Sequence, residues 1–207
     1  MNVAIGVIDC GISNITSVLN AFLQLGCNVK IVSKSKEVVD YTHLVLPGVG
    51  SFPNGMENLI INGFDEEISN EVEKGKPIFG LCLGMQLFAE FGEEFKPTNG
   101  LGLIEGHISK IDTGESGLRL PHIGWNQVTF KKNSVITAGV PESSNYYFVH
   151  SYSYSNPNEP YVVGICDYSN EVVAFIEKDN IFGAQFHPEK SQADGLLLLK
   201  NFTKVSG

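Results

Sequence analysis

The sequence predicts an α/β protein: an open, mostly parallel sheet flanked by helices, with antiparallel strands added in the second half. Three observations carry this expectation. Short apolar, β-branched runs without polar alternation recur in the first half, as in strands covered on both faces. Segments with helical spacing of apolar residues separate them, which is the order of a parallel sheet. In the second half the pattern changes to short strand candidates split by Gly, Pro, Asn and Asp turns.

The elements follow in order. VAIGVID at 3–9 is a first strand, since it lacks the basic flank and long apolar core of a signal peptide. Residues 14–25 carry Ile15, Val18, Leu19, Phe22 and Leu25 at helical spacing, with Gly26 as the stop. NVKIV at 28–32 and HLVLP at 43–47 are the next strands. Residues 54–74 read as helical, with Met56, Leu59 and Ile60 early and Ile68 and Val72 late; Gly63 interrupts them and Gly75 with Pro77 ends them. PIFGL at 77–81 is the fourth strand, and MQLFAEF soon after it reads as a helix. GLGLIEGHISKI, WNQVTF, NYYFVHSYSY, YVVGICDY, EVVAFIE and NIFGAQF are the later strands, expected at one end of the sheet. GLLLLKNFTK at 195–204 closes the chain as an amphipathic helix. No repeat or linker divides the sequence, so residues 1–207 are expected to form one domain.

Composition excludes several function classes. Hydrophobic residues at 43% and charged residues at 18% fit a globular chain. A formal charge of −9 argues against a nucleic-acid binder, because Lys and Arg are too few to line a phosphate backbone. No apolar run approaches the roughly 18 residues that span a bilayer. The four cysteines, Cys10, Cys27, Cys82 and Cys166, form no C-x-x-C pair, which argues against a zinc ribbon or disulfide framework and for a reducing cytoplasm.

Three constellations carry chemistry. In GLCLG, residues 80–84, Cys82 follows a strand and is bracketed by Gly80 and Gly84. A nucleophile on a sharp strand-to-helix turn needs small residues at both ±2 positions, where strand and helix crowd each other. The following helix N-terminus favours thiolate; the bland alternative is a small buried hydrophobe. In QFHPEKS, residues 185–191, an extended segment projects His187 and Glu189 to the same side, so the carboxylate can fix the imidazole's tautomer. Together these point to a Cys-His-Glu nucleophilic triad. In LPGVGSF, residues 46–52, Gly48 and Gly50 free the backbone to supply an oxyanion donor. Cys82, His187 and Glu189 lack a fourth ligand for a metal, and neither metal nor cofactor is expected.

With PHIGWN at 121–126 and YYFVHSY at 146–152, these motifs resemble the class I (triad) glutamine amidotransferases, and among them the glutaminase subunits of imidazole glycerol phosphate synthase in histidine biosynthesis. The likeness runs from VIDCG to LLKNF. It implies the class I glutamine amidotransferase fold and a glutaminase in which Cys82 attacks glutamine. Leu83 and Val49 N–H groups hold the oxyanion, and Gly48, Gly50, Gln86, His150 and Ser151 hold the substrate. His150 is a positioning residue, while His43 and His107 are structural. The implied partner is a (βα)8-barrel synthase (cyclase) subunit that receives ammonia, met near Asn14, Trp125 and Lys190. One position departs from the family pattern: GISN has Ser13 where the G-x-G-N pattern has glycine. A paralogue that supplies ammonia to amidinate a surface sugar and a free-standing cysteine hydrolase are the competing readings. A degenerate binding subunit would show damage in the triad motifs, and none is present.

Overall fold

Strands β1 (Ala4–Ile8), β2 (Asn28–Val32), β3 (His43–Gly48) and β4 (Ile78–Cys82) form the parallel heart of the computed structural model, which describes residues 3–11 and 14–206. Helix α1 (Ile15–Gln24) joins β1 to β2; α2 (Phe52–Ile61) and α3 (Phe64–Glu73) join β3 to β4. Leu44 and Leu46 of β3 face a core shared with Phe52, Leu59 and Phe64, whereas the intervening Val45 faces one shared with Phe22, Leu198 and Phe202. That explains the unbroken apolar runs: each strand buries alternate side chains in two separate cores. Gly63, at φ 68°, breaks the long helical stretch into α2 and α3.

A short helix α4 (Leu83–Gln86) leads to β5 (Phe91–Gly92), β6 (Thr98–Asn99) and β7 (His107–Lys110). Next come β8 (His122–Phe130), β9 (Ser143–His150), β10 (Tyr152–Tyr154), β11 (Val162–Tyr168), β12 (Asn170–Lys178), β13 (Ile181–Ala184) and α5 (Gln192–Phe202). The large sheet has the order β2-β1-β3-β4-β13-β12-β11-β8-β9. It is parallel from β2 to β13 and antiparallel beyond, as the change of pattern in the sequence implies.

Two expectations fail for one reason. MQLFAEF does not form a helix beyond Gln86, and GLGLIEG does not extend β7 toward its N-terminus. The carbonyls of Leu87, Phe88 and Ala89, which a longer helix would use internally, accept instead from the N–H groups of Leu101, Ile104 and Gly102 at 2.9–3.0 Å. A second sheet, β10-β7-β5-β6, is built around this exchange, and the sequence pattern does not announce it. The chain crosses from the large sheet to this small one at Ser151, between β9 and β10.

One buried ion pair fastens the far end of the sheet. Glu71 of α3 meets Lys76 and Lys74 at 2.6 Å each, and Lys76 also donates to Val38 O at 2.8 Å. The two lysines hold the Glu71 carboxyl below its ordinary range, so its contribution is lost as pH falls through that lowered value. Lys76 is partly covered and Lys74 is exposed. Glu71→Ala removes both lysine contacts while Lys76 keeps the Val38 and Val39 carbonyls, and is expected to cost about 2 kcal/mol, the worth of hydrogen bonds to a charged group. Lys74→Ala is expected to cost under about 0.5 kcal/mol. Urea midpoints of the two variants check the contrast.

Candidate active site

Parallel pairing brings the chemistry to one edge. Gly48 of β3 lies opposite Cys82 of β4, and Leu81 lies opposite Ala184 of β13. The segment leaving β13, with Gln185 and His187, therefore runs beside Cys82 at the carboxyl ends of the strands, where open α/β sheets place their sites.

Cys82 sits at φ 54°, ψ −111°, a conformation that is costly for a residue with a Cβ. The glycines permit it. A Cβ on Gly84 would overlap the carbonyl oxygen of Leu46, and one on Gly80 would lie 2.6 Å from Met85 N. Because α4 is a single turn of four residues, its macrodipole is slight. Its anion-binding capacity lies in the N–H groups of its first turn, beginning with Leu83, which have no intrahelical acceptor.

His187 Nδ1–H donates to Glu189 Oε1 at 2.8 Å, and both side chains are buried. The contact is not made along an extended strand as expected. His187 is extended, but Pro188–Lys190 is a 3₁₀ turn with Pro188 in its first position, and the turn brings the carboxylate back under the ring. Ser191 Oγ donates to His187 O at 2.6 Å and pins the turn. His187 Nε2 is buried with no hydrogen-bond partner among the described residues. Burial would lower the imidazolium's pKa, but neighbouring Cys82 and Glu189 outweigh it and hold it up at about 10. The stability this group contributes is complete below about pH 6.5 and lost as pH rises toward about 10.

A cavity of about 350 Å³ opens over these groups, lined by Val49, Gly50, Cys82, Leu83, Gln86, Glu94, His150, Ser151 and His187. A hollow of about 550 Å³ around Lys76 and Val205 lies at the opposite ends of the strands and contains none of them. Gly48 is the exception among the expected substrate contacts. It is packed under the elbow, where a Cβ would come within 3.0 Å of Gly84 N and Leu83 Cβ, so it serves the turn and does not line the cavity. Gly50 has φ 106° and Val49 is exposed at the cavity wall.

The cavity floor is a hydrogen-bonded chain. Gln86 Nε2 donates to Tyr152 O at 2.7 Å and to Gln185 Oε1 at 2.9 Å, leaving Oε1 of Gln86 for a ligand. His150 Nδ1–H donates to the same Tyr152 O at 2.9 Å. Its Nε2 then accepts from His122 Nδ1–H at 3.1 Å, and His122 Nε2 accepts from Asn126 Nδ2 at 3.3 Å. Burial pushes His150 down to about 3 and His122 to about 4, so both rings are neutral at physiological pH. His150 is thus a ring held at both nitrogens. His122 lies stacked between Phe148 and Tyr168 at 4.7 and 4.0 Å.

Two residues at the site were not singled out in the sequence. Glu94 lies in the loop after β5, lines the cavity and accepts from Phe52 N at 2.8 Å at the start of α2. No spacing rule reaches it. Gln185 is fully buried, and its Nε2 lies 3.8 Å from Cys82 Sγ. Its place beside Cys82 comes from the register of β13 with β4, not from any local spacing.

Of the residues expected to meet a partner, Trp125 is half exposed and edge-on to Tyr147 at 6.2 Å, while Lys190 is exposed with Nζ 5.8 Å from the Tyr147 ring. These three form one patch. Asn14 is exposed at the start of α1, and Ser13 lies outside the described residues. His43 binds Val205 O at 2.9 Å and His107 stacks on Phe91 at 4.9 Å, both structural roles. Cys10, Cys27 and Cys166 lie outside the cavity lining; burial pushes the Cys166 thiol up to about 12.

Fold and site define an α/β protein whose cysteine, on a strained strand-to-helix turn, faces an imidazole oriented by a carboxylate, an arrangement suited to acyl transfer. Comparison with known proteins gives the particular family: the chain belongs to the glutamine amidotransferase class-I family, which matches residues 6–205. An imidazole glycerol phosphate synthase subunit HisH of Caldanaerobacter subterraneus subsp. tengcongensis is 42% identical over 201 residues, covering 97% of this chain and 98% of its own. The HisH subunit of Pelagibacter ubique is 41% identical over 210 residues, covering 99% and 100%. A solved glutamine amidotransferase shares the fold with a TM-score of 0.75 at 18% identity, covering 98% of this chain and 100% of its own.

Gly84→Ala is expected to destabilise the protein by about 3 kcal/mol or more, because the new methyl has no room against Leu46. Gly26→Ala, strained at φ 74° but with open space, is expected to cost only about 1 kcal/mol. Thermal or urea denaturation of both checks the elbow argument.

Proposed function

We propose that this chain is the glutaminase subunit of an imidazole glycerol phosphate synthase in histidine biosynthesis, supplying ammonia to a (βα)8-barrel cyclase subunit in the cytoplasm. The observation that carries the chemistry is the buried His187, with Nδ1 on Glu189 and Nε2 unbonded, beside Cys82 in one cavity. The relatives named HisH carry the pathway.

The Cys82 thiolate attacks the side-chain carbonyl carbon of glutamine, forming the C–S bond and a tetrahedral oxyanion. Leu83 N–H, with Val49 N–H as second donor, holds that oxyanion. The His187 imidazolium gives its proton to the departing nitrogen as the C–N bond breaks, and ammonia leaves. Neutral His187 then takes a proton from water; the hydroxyl adds to the thioester, and glutamate departs as the C–S bond breaks. Glu189 keeps the imidazole in register throughout. Glu94, the one carboxylate lining the cavity among the described residues, meets the α-ammonium of glutamine, and the Gln86 and Ser151 region meets its other polar groups.

Exposed Ile123, Trp125 and Val49 lie on β8 and the cavity rim, the face on which the synthase subunit docks. Lys190 approaches an acidic residue of that partner, and Asn14 extends the contact. Gly50 gives the Gly48–Val49–Gly50 strand the freedom to turn the Val49 N–H toward or away from the oxyanion site, so docking can regulate turnover.

Steady-state glutamate release tests this reading. The isolated chain is expected to be nearly silent and to rise by about a hundredfold or more with a histidine-pathway cyclase and its acceptor, the gain of one oxyanion donor. Cys82→Ser is expected to abolish release at unchanged stability. Full activity from the chain alone, or from Cys82→Ser, contradicts the proposal. Glu94→Gln is expected to raise KM for glutamine by about tenfold or more, the value of one charge-assisted hydrogen bond; initial rates against glutamine concentration check it.

A further inference from the structure

Backbone carbonyls fix the polarity of the network beneath the nucleophile, because a carbonyl can only accept. Tyr152 O faces Gln86 Nε2 at 2.7 Å, which settles the orientation of the Gln86 carboxamide. That same nitrogen lies 2.9 Å from Gln185, so Gln185 must present Oε1 to it. Gln185 is then obliged to turn Nε2 the other way, to Cys82 Sγ at 3.8 Å. A flipped Gln185 would set two N–H groups against each other in a fully buried space. The second branch agrees: Asp167 O fixes Asn126, Asn126 fixes the His122 tautomer, and His150 is left donating to Tyr152 O.

An N–H donor aimed at sulfur is a weak partner for a thiol and a strong one for a thiolate. The competing contact of the thiol, Sγ–H toward Val149 O, is long at 3.9 Å. The geometry points to Gln185 as a catalytic hydrogen-bond donor that holds the Cys82 sulfur as thiolate beside the His187 imidazolium, without itself transferring a proton. Gln86 has a second duty in this arrangement: it orients the Gln185 amide as well as meeting substrate. The inference rests on Cys82 being the nucleophile.

Alkylation of the full-length chain by iodoacetamide, followed against pH and mapped by mass spectrometry, tests both points separately. Wild-type Cys82 is expected to react ahead of Cys10, Cys27 and Cys166 at about pH 6, where ordinary thiols are protonated. Gln185→Met, similar in volume and lacking the donor, is expected to slow Cys82 at that pH by about tenfold or more, the lower end of what a hydrogen bond to a charged group is worth. The profile should move up by about one pH unit while the rate on the alkaline plateau is kept. Gln185→Glu should move it further. A side chain that merely shaped the cavity would change the rate equally at all pH values, and that result overturns the proposal, as does an unmoved profile. If either variant misfolds, the wild-type Gln185 side-chain amide resonances decide. They should shift with Cys82 ionisation and stop doing so in Cys82→Ser, and resonances indifferent to pH overturn the role. Labelling that spares Cys82 in the wild type removes the nucleophile reading and this one together.

Discussion

The close approach of the first turn of α4 to β3 governs the rest of the site. Cys82 can hold its left-handed backbone only because Gly84 packs directly on the Leu46 carbonyl and Gly80 admits the Met85 backbone. Strain of this kind persists only where the surroundings over-determine it. Here the surroundings are rigid: β4 is a central strand, flanked by β3 and β13, with apolar layers on both faces. The turn is short because the chain after Gln86 gives its carbonyls to residues 101–104. That exchange also starts the small sheet, whose strand β10 begins at Tyr152, the carbonyl that organises the cavity floor.

Charge and neutrality are separated across a few ångströms. Of the three buried histidines at or near the cavity, only His187 faces a carboxylate, and it alone is held in the imidazolium form near neutrality. His150 and His122 are buried against each other and aromatic rings, and stay neutral. A neutral ring can donate on one side and accept on the other, so these two transmit orientation without competing for the proton. Their Cα atoms are paired across β8 and β9. Strand β8, which carries His122, also carries Ile123 and Trp125 on its exposed side. The cavity floor and the exposed apolar face of β8 are thus two sides of one hairpin.

The sequence by itself determined the parallel strands, the helices between them, the elbow and the H-P-E turn. These rest on local rules: two-core strands read as apolar runs, and a nucleophile elbow demands its two glycines. It paired His187 with Glu189, as the structure does, while misjudging the backbone between them, because a carboxylate two residues away can return through a 3₁₀ turn as well as along a strand. Tertiary structure alone decided what depends on distant segments meeting. It stopped the helix after Gln86, since only the fold brings residues 101–104 to those carbonyls. It moved Gly48 from the cavity wall to a place beneath the elbow, since only the packing shows which side of β3 the turn covers. It added Glu94 from a loop without periodicity. And it set Gln185 against Cys82 across 103 residues of chain, a contact fixed by the parallel register of β13 with β4, which no window along the sequence contains.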